Sequence, residues 1–100
     1  MMISLKHKDF IFLSSNGSFF VLPLKSYSRF FGLFLRHNNT FIKILDRIEN
    51  QNRKNEPLEV LLINHNRVLL DYGDFYEEFI LLDHGLLYKS SKISNIKVYF

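Results

Sequence analysis

The dipeptide Asn16-Gly17 stands between two β-prone runs, Asp9–Ser15 and Ser18–Leu22, and no other feature of the chain restricts its folding as tightly. Asn-Gly is the strongest short hairpin signal, because both residues tolerate the positive φ that a tight turn asks for. A two-residue loop sets the register, with Leu13 opposite Phe20 and Phe12 opposite Val21. Side chains alternate across a strand, so one face carries Phe10, Phe12, Phe19 and Val21, and the other Ile11, Leu13, Phe20 and Leu22. An antiparallel hairpin ordinarily leaves one face polar. Here both faces call for burial, and a chain of 100 residues is poorly equipped to cover both. Neighbouring proteins of a larger assembly are therefore expected against the hairpin Phe10–Leu22.

The rest of the composition narrows the class. Hydrophobic residues make up 47% and charged residues 23%, the balance of a folded chain. Cysteine is absent, which excludes a disulfide framework, a thiol nucleophile and a thiolate metal site. No apolar run approaches the roughly 18 to 20 residues that cross a bilayer as a helix, so no membrane span is expected. The opening Met1-Met2-Ile3-Ser4-Leu5-Lys6 reads as neither a secretory leader nor an import sequence. Alanine is absent too, while Phe, Ile, Asn, Lys and Tyr, whose codons are AT-rich, together supply 42 residues. That bias points to an AT-rich genome such as that of an organelle, a phage or an AT-rich bacterium. A protein made inside an organelle needs no targeting segment.

The net charge of +3 is unevenly spread. Residues 1–40 carry Lys6, Lys8, Lys25, Arg29 and Arg36 against Asp9. Residues 57–88 carry Glu59, Asp71, Asp74, Glu77, Glu78 and Asp83 against Arg67. The tail adds Lys89, Lys92 and Lys97. Such a chain can lay one side on a polyanion and turn the other away. A solvated surface with chance asymmetry gives the same counts.

After Pro23, residues Ser26–Arg36 read as a helix capped by Ser26 or Ser28, with a strand as the competing reading. His37-Asn38-Asn39 is a turn. It is the strongest boundary in the chain, dividing an N-terminal hairpin and basic extension (1–39) from an α+β domain (40–100). Phe41, Ile44, Leu45 and Ile48 fall at i, i+3, i+4 and i+7, the spacing of an amphipathic helix capped by Thr40. The polar run Asn50–Asn55 is a linker. A second helix can start at Asn55 or Glu56, with Pro57 in its first turn, although Val60–Ile63 also reads as a strand. Asn64-His65-Asn66 is a turn. Arg67–Leu70, Phe79–Leu82, Leu86–Tyr88 and Ile96–Phe100 read as strands, with Asp83-His84-Gly85 turning between the second and third. The expected fold class is thus α+β: an N-terminal hairpin, two or three short helices, and an antiparallel sheet from the C-terminal half.

The order helix, helix, turn, strand over residues 40–88 resembles the RNA-binding domain family named after the fourth protein of the small ribosomal subunit. The resemblance is carried by Phe41/Ile44/Leu45/Ile48, by the turn Ile63-Asn64-His65-Asn66 before Val68-Leu69-Leu70, and by Leu81-Leu82-Asp83-His84-Gly85. The ending Ile96-Lys97-Val98-Tyr99-Phe100 is similar as well. At the start of the second helix the family's Ser-Arg pair falls on Asn55-Glu56, and its small alanine on Glu59. The resemblance implies rRNA as the partner, recognised by shape and charge. It implies contacts from Lys43, Arg47, Arg53, Lys54 and Arg67 on the helices and the loop, and from Asn64 and His65 at the turn. A structural, rRNA-binding role in a mitochondrial small ribosomal subunit, encoded in the organelle, is the resulting expectation. A non-catalytic accessory subunit of another assembly, such as a respiratory complex, or a small phage protein-binding module is the alternative.

Catalysis is not expected, nor is a cofactor. His7, His37, His65 and His84 have no metal-ligand spacing. Asp71, Asp74, Glu77 and Glu78 could pair as acid and base, but a polar loop accounts for them more simply. No glycine-rich phosphate loop or nucleophile elbow is present.

Overall fold

The protein is described by a computed structural model covering residues 3–4, 8–25, 30–92 and 95–100, with backbone alone at 3–4. Among these residues the chain is all-β and has no helix. The strands are β1 (Ile3–Ser4), β2 (Phe10–Ser15), β3 (Ser18–Pro23), β4 (Gly32–His37), β5 (Thr40–Leu45) and β6 (Arg47–Asn50). They continue with β7 (Glu59–Asn64), β8 (Arg67–Asp71), β9 (Tyr76–Leu82), β10 (Gly85–Ser90) and β11 (Ile96–Tyr99). All pairings are antiparallel, in a four-stranded sheet β2-β3-β4-β5, a five-stranded sheet β1-β7-β8-β9-β10 and a ribbon β11-β6.

The α+β expectation is therefore corrected to all-β. Residues expected as the first amphipathic helix form β5 and β6, those expected as the second form β7, and Gly32–Arg36 lie in β4. Residues 26–29, with the candidate caps Ser26 and Ser28, lie outside the described residues. The helical spacing of Phe41, Ile44, Leu45 and Ile48 has another cause. The pairing of β4 with β5 steps from Phe34↔Lys43 to Leu33↔Leu45, so Ile44 is an extra residue in a bulge. β5 is apolar on both faces, so residues facing opposite ways happen to fall at helical spacing: Phe41 and Ile44 are exposed, whereas Leu45 and Ile48 are buried. Thr40, Phe41, Ile42 and Ile44 are β-branched or aromatic, types that favour a pleated surface. The turn at Asn38, whose φ is 56°, joins β4 to β5, so the expected division at 39/40 runs through a hairpin.

β2 and β3 pair as a two-residue loop dictates, Leu13 with Phe20 and Phe12 with Val21. Neither Asn16 nor Gly17 takes a positive φ, however. Gly17 is needed for proximity instead, since a Cβ there would stand 3.0 Å from the Asp83 carbonyl oxygen in the β9–β10 turn. Ser15 Oγ donates to Asp83 Oδ1, and Ser18 Oγ donates to the Leu82 carbonyl at 2.6 Å, fixing this junction.

The two larger sheets pack face to face. Ile11, Leu13, Phe20, Leu22 and Leu33 of one meet Val60, Val68, Leu70, Phe79 and Leu81 of the other, all buried. Phe20 stacks on Phe79 with ring centroids 5.4 Å apart. One of the two apolar hairpin faces is thus covered by the chain's own second sheet. No helix of the described residues is long and apolar enough to cross a membrane.

Candidate nucleic-acid interface

The other hairpin face stays open. Strand alternation and the pairings Phe12↔Val21, Phe19↔Phe34 and Arg36↔Phe41 place Phe10, Phe12, Phe19, Val21, Phe34 and Phe41 on the outer face of the four-stranded sheet, with Arg36 and Lys43 among them. Four of these rings make one row centred on Phe19, which touches the other three. Phe12 and Phe19 stack at 5.6 Å, Phe19 and Phe34 at 4.6 Å, and Phe41 meets Phe19 edge-on at 4.9 Å. Phe10 and Phe12 are 49% and 52% exposed and Phe41 43%, so the row is wet along much of its length. Two cations are set into it. Arg36 Cζ lies 5.7 Å from the Phe41 centroid, and Lys43 Nζ lies 5.9 Å from that of Phe34.

Charge follows the layers. The four-stranded sheet and its flanks carry Lys8, Lys25, Arg36 and Lys43, against Asp9, bridged to Lys25 at 3.5 Å, and Asp46, bridged to Lys43 at 2.6 Å. The five-stranded sheet and its turns hold Glu59, Asp71, Asp74, Glu77, Glu78 and Asp83. The asymmetry seen along the sequence is thus an asymmetry between two opposed faces.

The cations expected to converge on RNA do not share one surface. Lys43 lies in the aromatic row and pairs with Asp46 at 2.6 Å. Arg47 pairs with Asp46 at 2.6 Å and Glu49 at 3.4 Å, and its guanidinium sits 4.0 Å from the Tyr99 ring centroid. The hydrogen bond that Arg47 donates to Asp46, reinforced by the one it donates to Glu49, raises the Arg47 pKa. Arg53 reaches the interior, where Nε and Nη2 donate to the two oxygens of Glu77 at 2.6 and 2.5 Å. Arg67 donates to Glu78, which Lys89 also approaches at 3.8 Å. Glu77 and Glu78 are consecutive on β9 and point to opposite faces of its sheet, so Arg53 and Arg67 are held on opposite faces too. Lys54 is exposed and lines a cleft of about 410 Å³ with Lys25, Pro57 and Tyr72. Asn64 Oδ1 caps the β7–β8 turn by accepting from the Asn66 amide at 3.1 Å, and the His65 carbonyl accepts from the Ser14 amide at 2.9 Å.

Glu77 is the centre of the buried polar cluster. It is fully buried, and besides Arg53 it accepts from Tyr72 Oη at 2.8 Å and from Tyr88 Oη. Tyr88 Oη in turn accepts from Asn50 Nδ2 at 3.0 Å, which ties the β6–β11 ribbon to β10. Burial and the carboxylate beside it push the Tyr88 phenol up to about 12 and that of Tyr72 higher still. For Arg53 burial works against the charge, and Glu77 more than offsets it. No buried side-chain polar atom of the described residues lacks a partner, so the cluster is a closed structural pin with no vacant donor or acceptor.

Sequence alone identified four of the six apolar residues of this face, Phe10, Phe12, Phe19 and Val21. It missed Phe34, Arg36 and Phe41 because it placed their segments on helices. Comparison with family models, with curated proteins and with solved structures gave no match.

Proposed function

We propose that the chain is a non-catalytic RNA-binding subunit of a larger ribonucleoprotein assembly, and that it holds single-stranded RNA on the outer face of the β2–β5 sheet. The observation that carries this reading is the row of Phe12, Phe19, Phe34 and Phe41 with Arg36 and Lys43 set into it. Aromatic side chains on an exposed sheet give unstacked bases a platform, and interleaved cations neutralise the phosphates. Within the row the rings occupy one another's faces, so bases extend it at its ends, where Phe12 and Phe41 are most exposed. The carboxylate-rich layer faces away from the bound strand, as Coulomb repulsion requires. The AT-biased composition suits an organelle, a phage or an AT-rich bacterium alike, and a mitochondrial small ribosomal subunit is the form of the proposal with an organellar origin. The two helices behind the ribosomal-family resemblance are strands, so the resemblance lends the reading no support.

Fluorescence anisotropy with a labelled single-stranded RNA tests it. Phe12→Ala should weaken binding by about 5- to 150-fold, the equivalent of roughly 1 to 3 kcal/mol for one lost base stack. The slope of log K against log salt should be near −1.4, about −0.7 for each of two phosphate contacts on a single strand. It should halve in Arg36→Ala. Absence of binding at low salt, or binding that Phe12→Ala and Arg36→Ala leave intact in folded protein, overturns the reading. It would favour the accessory-subunit alternative, in which a protein covers the same rings.

A further inference from the structure

The four-stranded sheet ends in two edge strands, β2 and β5, and they are managed differently. β2 is tied to the opposite layer, through the Ser14 amide on the His65 carbonyl at 2.9 Å and through Ser15 on Asp83. β5 pairs with β4 and with no further strand among the described residues. It is six residues long, contains no proline, and exposes Phe41, Ile42 and Ile44 by 43%, 45% and 44%. Sheets ordinarily protect such an edge with charge, proline or a bulge, because its backbone is a template for another strand. Here the bulge lies near the far end, at Ile44, and leaves Thr40–Lys43 in regular register with β4. The charge, Lys43, is engaged by Asp46.

We infer that this edge takes a second copy of the chain, β5 against β5 and antiparallel, joining two four-stranded sheets into one. A two-fold axis makes the contact isologous: if residue i meets j, then j meets i. Continuity of the two faces brings like-facing residues together, and the longest overlap places the axis at Ile42 or Lys43, the two central residues of the strand. At Lys43 two ammonium groups would meet directly, which is unfavourable. At Ile42 the isoleucines meet on one face. On the other, each Lys43 meets Phe41 of the second copy, repeating the cation–aromatic neighbours this face already has within one chain. The chemistry of the edge selects the Ile42 register. Five residue pairs bury less than the roughly 1,200 Å² of a standard specific interface, so the dimer is weak and reversible. It does not depend on RNA, although it would bring two aromatic faces side by side.

The test uses the whole chain without RNA. Because the chain has no cysteine, Ile42→Cys and Leu87→Cys each carry a single thiol, the second on another exposed strand. Sedimentation velocity over a dilution series should show monomer passing to dimer, and the dimer should be lost in Phe41→Pro, because the Phe41 amide faces the free edge and not β4. Ile42→Lys, which leaves the backbone untouched, should lose it equally and guards against misfolding of the proline variant. Under mild oxidation Ile42→Cys should give covalent dimer well before Leu87→Cys, since directly opposed strand residues lie within disulfide reach. A monomer at every concentration, a dimer or polymer that survives both substitutions, or equal cross-linking at the two positions overturns the inference. The monomer result would leave the edge to a different protein.

Discussion

Replacing Arg53 by methionine isolates the value of the interior ion pair. The variant leaves the Glu77 carboxylate fully buried, with the hydroxyls of Tyr72 and Tyr88 as its remaining donors. Stranding a buried charge in this way costs about 3 to 5 kcal/mol. The two phenols soften the loss, so about 3 kcal/mol is expected, against roughly 5 to 15 kcal/mol for a whole domain. The double variant Arg53→Met/Glu77→Gln should be more stable than Arg53→Met alone by about 1 to 2 kcal/mol, because a neutral amide in that position no longer demands a cation. Urea unfolding followed by far-ultraviolet circular dichroism reads both. With a slope of about 1.5 kcal/mol per molar, the midpoint should fall by about 2 M in the single variant and recover part of that in the double. A shift below about 0.5 M, or a double variant less stable than the single, would refute the buried-pair argument. Arg53→Met should also leave the salt slope of RNA binding unchanged wherever it is folded, because its guanidinium faces the interior and not a phosphate.

Three further outcomes follow from local geometry. Gly32 has a φ of +129° and its Cβ would stand 2.3 Å from the Leu45 carbonyl oxygen, so Gly32→Ala should lose at least about 1 to 3 kcal/mol in the same urea assay, whereas Gly85→Ala, with open space around it, should lose far less. The Tyr88 phenol is raised to about 12, so its contribution to stability is complete below its ordinary value near 10 and is lost as pH rises through 12. A titration of phenolate absorbance should show Tyr72 and Tyr88 ionising late, in step with unfolding, and Tyr88→Phe should remove one of the late transitions. The open aromatic row should bind hydrophobic dye, and Phe12→Ser with Phe41→Ser should abolish most of that signal without changing the circular dichroism spectrum.

The parts of the fold readable in sequence were those with short-range causes. Asn16-Gly17 sets a two-residue loop and with it the pairing of Leu13 with Phe20. Asp83-His84 and His65-Asn66 similarly close hairpins between apolar runs. The failures came from long-range causes. The bulge at Ile44 is selected by Gly32 on the neighbouring strand, whose missing Cβ lets the Leu45 carbonyl approach. Phe41 and Ile44 are exposed while Leu45 and Ile48 are buried, and the spacing of the four alone does not tell a strand apolar on both faces from a helix with one apolar stripe. In Val60–Ile63 the apolar run was ambiguous on its own, and pairing with β8 decided it. The open hairpin face was legible for the same reason as the turn, since alternation alone puts Phe10, Phe12, Phe19 and Val21 together. Its extension through Phe34 and Phe41 was not, because it depends on which strand lies next.

The charges carry the same lesson one level up. Along the sequence Arg53 and Arg67 look like free cations, since their partners Glu77 and Glu78 come 24 and 11 residues later. Sheet pairing and loop closure bring these groups together, and Lys89 and Lys92 join the same layer against Glu78 and Asp74. Most of the positive charge in the second half of the chain is therefore spent on carboxylates of its own layer. The four-stranded sheet has few acids of its own, so pairing cannot neutralise Arg36 in the same way. A polyanion approaching this molecule meets a field that is compensated on one face and positive on the other. The positive face is also the one whose rings remain open. Among the described residues Lys25 and Lys43 have the carboxylates of Asp9 and Asp46, so the cation that coincides with the unburied aromatic surface and has no carboxylate partner is Arg36.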